Sequence, residues 1–222
     1  MSRRRLYLMR HGEVSYYDSE GELAAQEHVR LTEEGRAQAS AAHDLLANVR
    51  FDRVVTSGLP RTLETAEIVA PGREHERWPE FEELRGGDPD ALPQDGLEEE
   101  FLGAFRGVVP LERRFFGGES IDELYDRVIP ALGRLLADPS WDTMLAVLHG
   151  AVNRAIISYA LTNGRLFLGH LEQAAGCLNV LDVGADGSWI VRAVGITPRD
   201  LIHTTTRLTT MEHYWLEYLD TR

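Results

Sequence analysis

Residues 3–12, RRRLYLMRHG, decide how this chain is interpreted, because they join a short apolar run directly to an arginine, a histidine and a glycine. The run at residues 6–9 is almost entirely apolar, which is typical of a central strand that is buried on both faces. Arg10, His11 and Gly12 follow at once, so we expect them at the carboxyl end of that strand. Binding sites in open α/β sheets collect at this end of the strands.

A second histidine–glycine pair begins at His149, directly after another apolar run at residues 144–148. Arg61 occupies a comparable place, since it opens the helix predicted after a strand at residues 51–56. Parallel strands that end at one edge of a sheet would bring Arg61 and His149 next to His11. An arginine presents a fork of donors that suits phosphate oxygens, so these positions predict a cationic cup for a phosphate group.

The rest of the chain alternates strand and helix patterns, which predicts a three-layer α/β/α fold. Its central sheet is expected to be mostly parallel, with helices on both faces. The length of 222 residues fits one domain spanning residues 1–222. Within it, residues 84–118 are rich in glycine, proline and aspartate, and we interpret them as an inserted cap with a short helix near residues 98–105. Further elements are predicted as helices near 33–49, 60–70, 120–135, 151–161 and 210–219, and as strands near 74–78, 177–183 and 189–194.

Composition excludes several classes of protein. The formal net charge is −13, whereas proteins that bind nucleic acid need a basic surface, so no nucleic-acid partner is expected. No apolar run has the length of a membrane span, and the apolar start is too short for an export signal, which predicts a cytoplasmic protein without membrane contact. We expect a small phosphorylated substrate as the partner, and a homodimer is compatible with the sequence.

The chain carries a series of motifs in a fixed order: LYLMRHGE (6–13), LTEEG (31–35), SGLPRTLETA (57–66), FEEL (81–84), GGES (117–120) with Arg127 in the helix that follows, and VLHGAVNR (147–154). Together they resemble the histidine phosphatase superfamily, whose members are similar to phosphoglycerate mutases. The resemblance covers most of the chain. It implies an enzyme that cleaves phosphomonoesters through a phosphohistidine, without a metal ion or other cofactor.

The same resemblance assigns roles to individual residues. It implies that His11 attacks phosphorus, while Arg10, Arg61 and His149 hold the phosphoryl oxygens. Glu83 matches the position of the proton donor. The neighbouring Glu82 remains an alternative for that role.

The chemistry of phosphoryl transfer supports these roles independently of the resemblance. A transferring phosphoryl group carries charge on its equatorial oxygens, so positioned cations account for most of the catalysis. The chain has neither a P-loop nor an aspartate-rich magnesium motif, so side chains must supply the positive charge. His11 has to be neutral to attack, and like-charge repulsion from Arg10 and Arg61 is expected to lower its pKa.

Three functions remain open at this stage. A phosphatase is favoured over a cofactor-dependent mutase, because mutases of this family carry Trp-Asn shortly after Arg-His-Gly, where this chain has Tyr16 and Tyr17. Tyr17 still offers a hydroxyl to the substrate, and Asn179 is a further candidate contact. The third alternative is an inactive member that binds phosphate as a scaffold.

Overall fold

A computed structural model describes residues 3–17, 24–88, 91–93, 95–201, 203–204 and 207–220. Its main sheet has six strands, and two further short strands form a separate ribbon. The strands are β1 (Arg3–Arg10), β2 (Arg53–Thr56), β3 (His75–Arg77), β4 (Val108–Val109), β5 (Thr143–Leu148), β6 (Phe167–Leu168), β7 (Leu178–Gly184) and β8 (Trp189–Ile196).

The order of the main sheet is β3-β2-β5-β1-β7-β8. Strands β3, β2, β5 and β1 pair in parallel, whereas β7 and β8 add an antiparallel edge beside β1. The predicted α/β class and its mostly parallel sheet are therefore confirmed. Arg10 is in register with Leu148 of β5, and Thr56 of β2 is in register with Val147. The three central strands thus end at the same level, which places His11, Ser57 and His149 side by side.

Helices cover both faces of the sheet because the side chains of β1 alternate between two cores. Leu6 and Leu8 point into one core with α4 and α5, and Met9 points into the other core with α1 and α2. The helices are α1 (Glu33–Leu45), α2 (Pro60–Val69), α3 (Leu97–Leu102), α4 (Ile121–Ala137), α5 (Gly150–Thr162) and α6 (Thr210–Asp220).

Capping residues fix where the longest helix starts. Ser120 accepts a hydrogen bond from the backbone N–H of Glu123, and the Glu123 carboxylate accepts one from the backbone N–H of Ser120. This capping box satisfies two donors that the first turn of α4 leaves free. The amphipathic helix predicted from Ser120 is thereby confirmed, with Pro130 inside it.

The segment 84–118 packs at the carboxyl edge of the sheet through aromatic side chains. Its α3 is followed by a 3₁₀ turn at 103–105. Phe101 of α3 and Phe116 of a later turn form an apolar cluster with Tyr214 and Trp215 of α6. Its strand β4 pairs with β6, an antiparallel ribbon that the sequence pattern did not indicate. A two-residue strand carries too little periodicity to be recognised.

None of the helices in the described part of the chain is long and apolar enough to cross a membrane.

Candidate active site

His11 stands directly beyond the end of β1 and is fully buried. Its Nδ1 lies 2.8 Å from the carbonyl oxygen of Gly12. Because a carbonyl only accepts hydrogen bonds, Nδ1 must carry the proton, which leaves the lone pair on Nε2. Burial lowers the pKa of His11 well below its usual value, and the positive charges of Arg61 and Arg10 lower it further. The ring is therefore neutral and presents a free nucleophilic nitrogen.

Arg61 lies in the first turn of α2, behind Pro60 at the helix start, and its side chain is fully buried. None of its three side-chain nitrogens has a hydrogen-bond partner among the described residues. Its guanidinium carbon lies 5.9 Å from the centre of the Tyr16 ring. Glu64, on the same helix, instead pairs with Arg36 at 3.2 Å, so Arg61 keeps its donors for another acceptor.

Arg10 is buried beside His11 and is held from two sides. Its Nη1 donates to the backbone carbonyl of Gln173 at 2.6 Å, and its Nη2 donates to the hydroxyl of Tyr214 at 3.3 Å. Its Nε has no partner within the described residues. Two anchors therefore fix the guanidinium plane, while the Nε–H stays available for an acceptor.

His149 directly follows β5 and occupies the N-cap position of α5, where its side chain makes no capping hydrogen bond. Its Nε2 lies 2.8 Å from the hydroxyl of Ser57, and its ring stands edge-on to His11 with 5.2 Å between ring centres. Burial lowers the pKa of His149 well below its usual value, with Arg61 as the next cause. Its Nδ1 has no partner in the described part of the protein.

Glu83 lies in the loop that precedes the cap, and its side chain extends to the start of α5 beside His149. Its carboxylate accepts hydrogen bonds from the backbone N–H groups of Ala151 at 3.0 Å and of Leu84 at 2.9 Å. A β-carbon at position 150 would lie 3.5 Å from Glu83 Oε2 and 3.6 Å from Arg10 Nε, so Gly150 lies beside both groups. Glu82 instead turns to the surface and pairs with Arg85.

Six buried polar atoms with no partner in the described residues converge at this sheet edge, and five of them are nitrogens of Arg10, Arg61 and His149. An unsatisfied buried polar group costs free energy, so such a cluster marks a place where a ligand supplies acceptors for the arginine N–H groups. Arginine donors around a neutral imidazole suit an anion with several oxygens. The atoms are Arg10 Nε, Arg61 Nε, Nη1 and Nη2, His11 Nε2 and His149 Nδ1.

Asn179 does not belong to this cluster of unpartnered atoms, and its contact with a substrate stays a prediction. Its amide nitrogen donates to the carbonyl of Leu8 and to Gln173 Oε1, both at 2.9 Å. Its oxygen accepts from Gln173 Nε2 and from the backbone N–H of Gly195. All four hydrogen bonds of the amide are made, so Asn179 supports the segment that holds Arg10. Tyr17 is half-buried near Ser15, and its contact with a substrate stays a prediction.

Four further residues of the site were not assigned from the sequence. Ser57 orients His149, Gln173 and Tyr214 hold Arg10, and the buried Arg154 adds a cation beside Gly150. Burial lowers the pKa of Arg154 to about 10, which still leaves it charged at neutral pH. Ser57 and Arg154 lie in motifs quoted above, so sequence offered a signal for them. The carbonyl of Gln173 and the distant Tyr214 offered none.

Comparisons with known proteins identify the family. A profile of the histidine phosphatase superfamily (branch 1) matches residues 6–196. The adenosylcobalamin/alpha-ribazole phosphatase of Salmonella typhimurium is 30% identical over 188 residues, which are 81% of this chain and 90% of that protein. GpmB of Salmonella paratyphi A, which carries the name of a phosphoglycerate mutase, is 33% identical over 70% of this chain and 74% of its own length.

Solved structures share the fold. The alpha-ribazole phosphatase from Shigella flexneri superposes with a TM-score of 0.68 at 24% identity, covering 86% of this chain and 96% of that one. A mycobacterial glucosyl-3-phosphoglycerate phosphatase in complex with VO3 gives a TM-score of 0.68 at 22% identity, with 86% and 98% covered. The profile match, the sequence relatives and the order of motifs together place the chain in a family: it belongs to branch 1 of the histidine phosphatase superfamily.

Proposed function

We propose that this protein hydrolyses a small phosphomonoester through a phosphohistidine formed on His11. The protein is a phosphomonoester hydrolase of its family, as its phosphatase relative of 30% identity supports. The observation that carries the mechanism is the free Nε2 of a neutral, buried His11, surrounded by arginine donors that have no partner in the described residues.

In the first step, the lone pair of His11 Nε2 attacks phosphorus. The bond between phosphorus and the ester oxygen breaks, and the Glu83 carboxyl gives its proton to the leaving alkoxide. The products of this step are an alcohol and phosphohistidine. Arg10, Arg61 and His149 donate to the equatorial oxygens, whose charge grows in the transition state.

In the second step, a water molecule attacks the phosphorus of phosphohistidine. The Glu83 carboxylate takes a proton from that water, the phosphorus–nitrogen bond breaks, and inorganic phosphate leaves. His11 and the Glu83 carboxyl return to their starting states. The same carboxyl thus acts first as an acid and then as a base.

The experiment that tests this proposal combines turnover with detection of the intermediate. Purified protein is incubated with para-nitrophenyl phosphate in EDTA, quenched without acid, and searched by mass spectrometry for a phosphoryl group on His11. We expect turnover and an adduct in the wild type and in His28→Gln, a variant of an exposed histidine. His11→Ala is expected to lose both while keeping its circular dichroism spectrum. Substantial activity in His11→Ala would contradict the covalent mechanism.

A mutase is the second candidate function, and one structural observation favours it. Tyr16 and Tyr214 meet at 5.2 Å between ring centres, next to Arg61 and Arg10, and His11 is fully buried. Such enclosure shields phosphohistidine from water, as transfer to a second hydroxyl requires. GpmB, a relative of 33% identity, carries a mutase name. A stable adduct that forms but does not hydrolyse would favour this function over the phosphatase.

A further inference from the structure

The backbone around Glu83 lacks regular secondary structure. A short 3₁₀ helix covers Pro79–Phe81, and residues 82–88 belong to neither a helix nor a strand. Backbone carbonyls in such a segment have no ladder partners of their own, and buried ones need a donor from elsewhere. Contacts from other segments of the protein are therefore needed to hold residues 82–88, and with them the carboxyl of Glu83, in place.

Arg127 of α4 supplies those donors. Its Nη1 donates to the carbonyl of Glu80 at 2.8 Å and to that of Glu82 at 2.7 Å. Its Nη2 donates to the carbonyl of Glu83 at 3.0 Å. One guanidinium group therefore binds three carbonyls within four consecutive residues, the last of them belonging to the proposed proton donor.

The charge of Arg127 is met by Glu119 and not by Glu83. Nε of Arg127 lies 2.6 Å from Glu119 Oε1, and Nη2 lies 2.8 Å from Glu119 Oε2. Both side chains are largely buried, at 14% and 8% exposed. Glu119 is tied back to the loop, since its Oε2 accepts from the backbone N–H of Arg85 at 3.0 Å.

We propose that Arg127, held by Glu119, is a positioning residue for the proton-donor carboxyl of Glu83. The inference rests on the function proposed above. Arg127 fixes the backbone of Glu83 from one side, while the N–H of Ala151 at the start of α5 fixes the carboxyl from the other. Loss of the first anchor leaves the carboxyl able to turn away from the leaving oxygen without removing any group that binds phosphate.

The test is the dependence of kcat/KM on the leaving group, because kcat/KM reports the steps up to formation of phosphohistidine. An alkoxide needs a proton in that step, whereas para-nitrophenolate does not. For Arg127→Met we expect about a 100-fold loss on an alkyl phosphate but less than about a five-fold loss on para-nitrophenyl phosphate. Glu83→Gln is expected to show the same selective loss and serves as the reference.

Matched variants separate positioning from general stability. Arg134→Met removes another arginine of α4, which pairs with the carboxylate of Glu80 on the exposed side, and should leave both kcat/KM values within about two-fold. Arg127→Lys keeps the charge but loses the planar fork that reaches three carbonyls, so it should share the selective loss in part. If Arg127→Met does not fold, Glu119→Gln removes the anchor of Arg127 and is expected to lower the alkyl rate selectively.

The outcomes are distinguishable. A selective loss in Arg127→Met or Glu119→Gln, absent from Arg134→Met, supports the positioning role. An equal loss on both substrates, or no loss on either, overturns it while wild-type turnover and the His11 adduct leave the proposed function intact. A wild-type protein with neither turnover nor adduct overturns both.

Discussion

At the residue scale, the protonation states of His11 and His149 link the site to the stability of the protein. Burial and nearby guanidinium groups lower the pKa of both His11 and His149, so both rings are neutral in the folded protein. In the unfolded chain, the same rings take up a proton near pH 6.5. The unfolded state thus binds more protons below that pH, and the protein loses stability as the pH falls through this range.

Each of the two histidines should therefore lower the free energy of unfolding by about 1.4 kcal/mol between about pH 7.5 and pH 5.5. His11→Gln removes one titrating ring and should reduce this pH dependence by that amount. Urea unfolding at several pH values measures it. His28→Gln, which changes an exposed histidine, is the control for the loss of an imidazole ring. An unchanged slope in His11→Gln would mean that His11 takes up its proton in the folded state as well.

The individual residues also show how far sequence reasoning reaches. Arg10 and His11 follow one apolar strand directly, so their place at the sheet edge is a local property of ten residues. Glu83 differs, because FEEL offers two adjacent carboxylates in a loop without periodicity. The structure distinguishes them by contact, since Glu83 meets Ala151 while Glu82 meets Arg85. The pairing of the Asn179 amide with Gln173 could not be predicted, because nothing local to Asn179 indicates it.

At the scale of elements, α4 links the fold to the site. Its N-terminus is fixed by the Ser120 capping box, one side packs into the core through Leu124 and Val128, and another side presents Arg127 to the Glu83 loop. The sequence predicts this helix well because its apolar stripe and capping serine are local signals. Its contact with the loop depends on tertiary packing, which periodicity does not encode.

Removing the capping hydroxyl of Ser120 tests how much the first turn of α4 contributes to the stability of the protein. Ser120→Ala should lower the free energy of unfolding by about 1 kcal/mol, because one backbone donor loses its acceptor. Its kcat/KM should stay close to the wild-type value, since Arg127 lies beyond the first turn. Ser40→Ala, an exposed serine inside α1, serves as the control for loss of a hydroxyl and should be nearly neutral. An equal loss of unfolding free energy in both variants would show that the capping hydrogen bond of Ser120 contributes nothing specific.

At the scale of the whole molecule, a negatively charged protein encloses a positively charged cup. The formal net charge is −13, whereas Arg10, Arg61 and Arg154 are buried around the site. At low salt the surface repels a phosphomonoester over a long range, while the short-range attraction inside the cup is little screened.

We therefore expect kcat/KM for a dianionic substrate to rise by about two- to five-fold when NaCl is raised from about 10 mM to about 150 mM, as the screening length falls from about 30 Å to about 8 Å. Steady-state kinetics at constant pH measure this change. Sucrose of equal osmolality controls for effects other than charge. A steady fall of kcat/KM with salt would indicate that positive charge near the entrance outweighs the net charge.

The tyrosine pair, Tyr16 and Tyr214, is expected to affect the apparent dissociation constant for substrate. While the two rings lie over Arg61 and Arg10, His11 has no exposed surface. We therefore expect substrate to bind only to the fraction of molecules in which these rings have moved aside. The apparent dissociation constant then equals the intrinsic constant divided by that fraction. A tighter cover weakens measured affinity even when every contact with the phosphate is unchanged. Affinity for substrate and stability of the closed form are thus opposing properties of this chain.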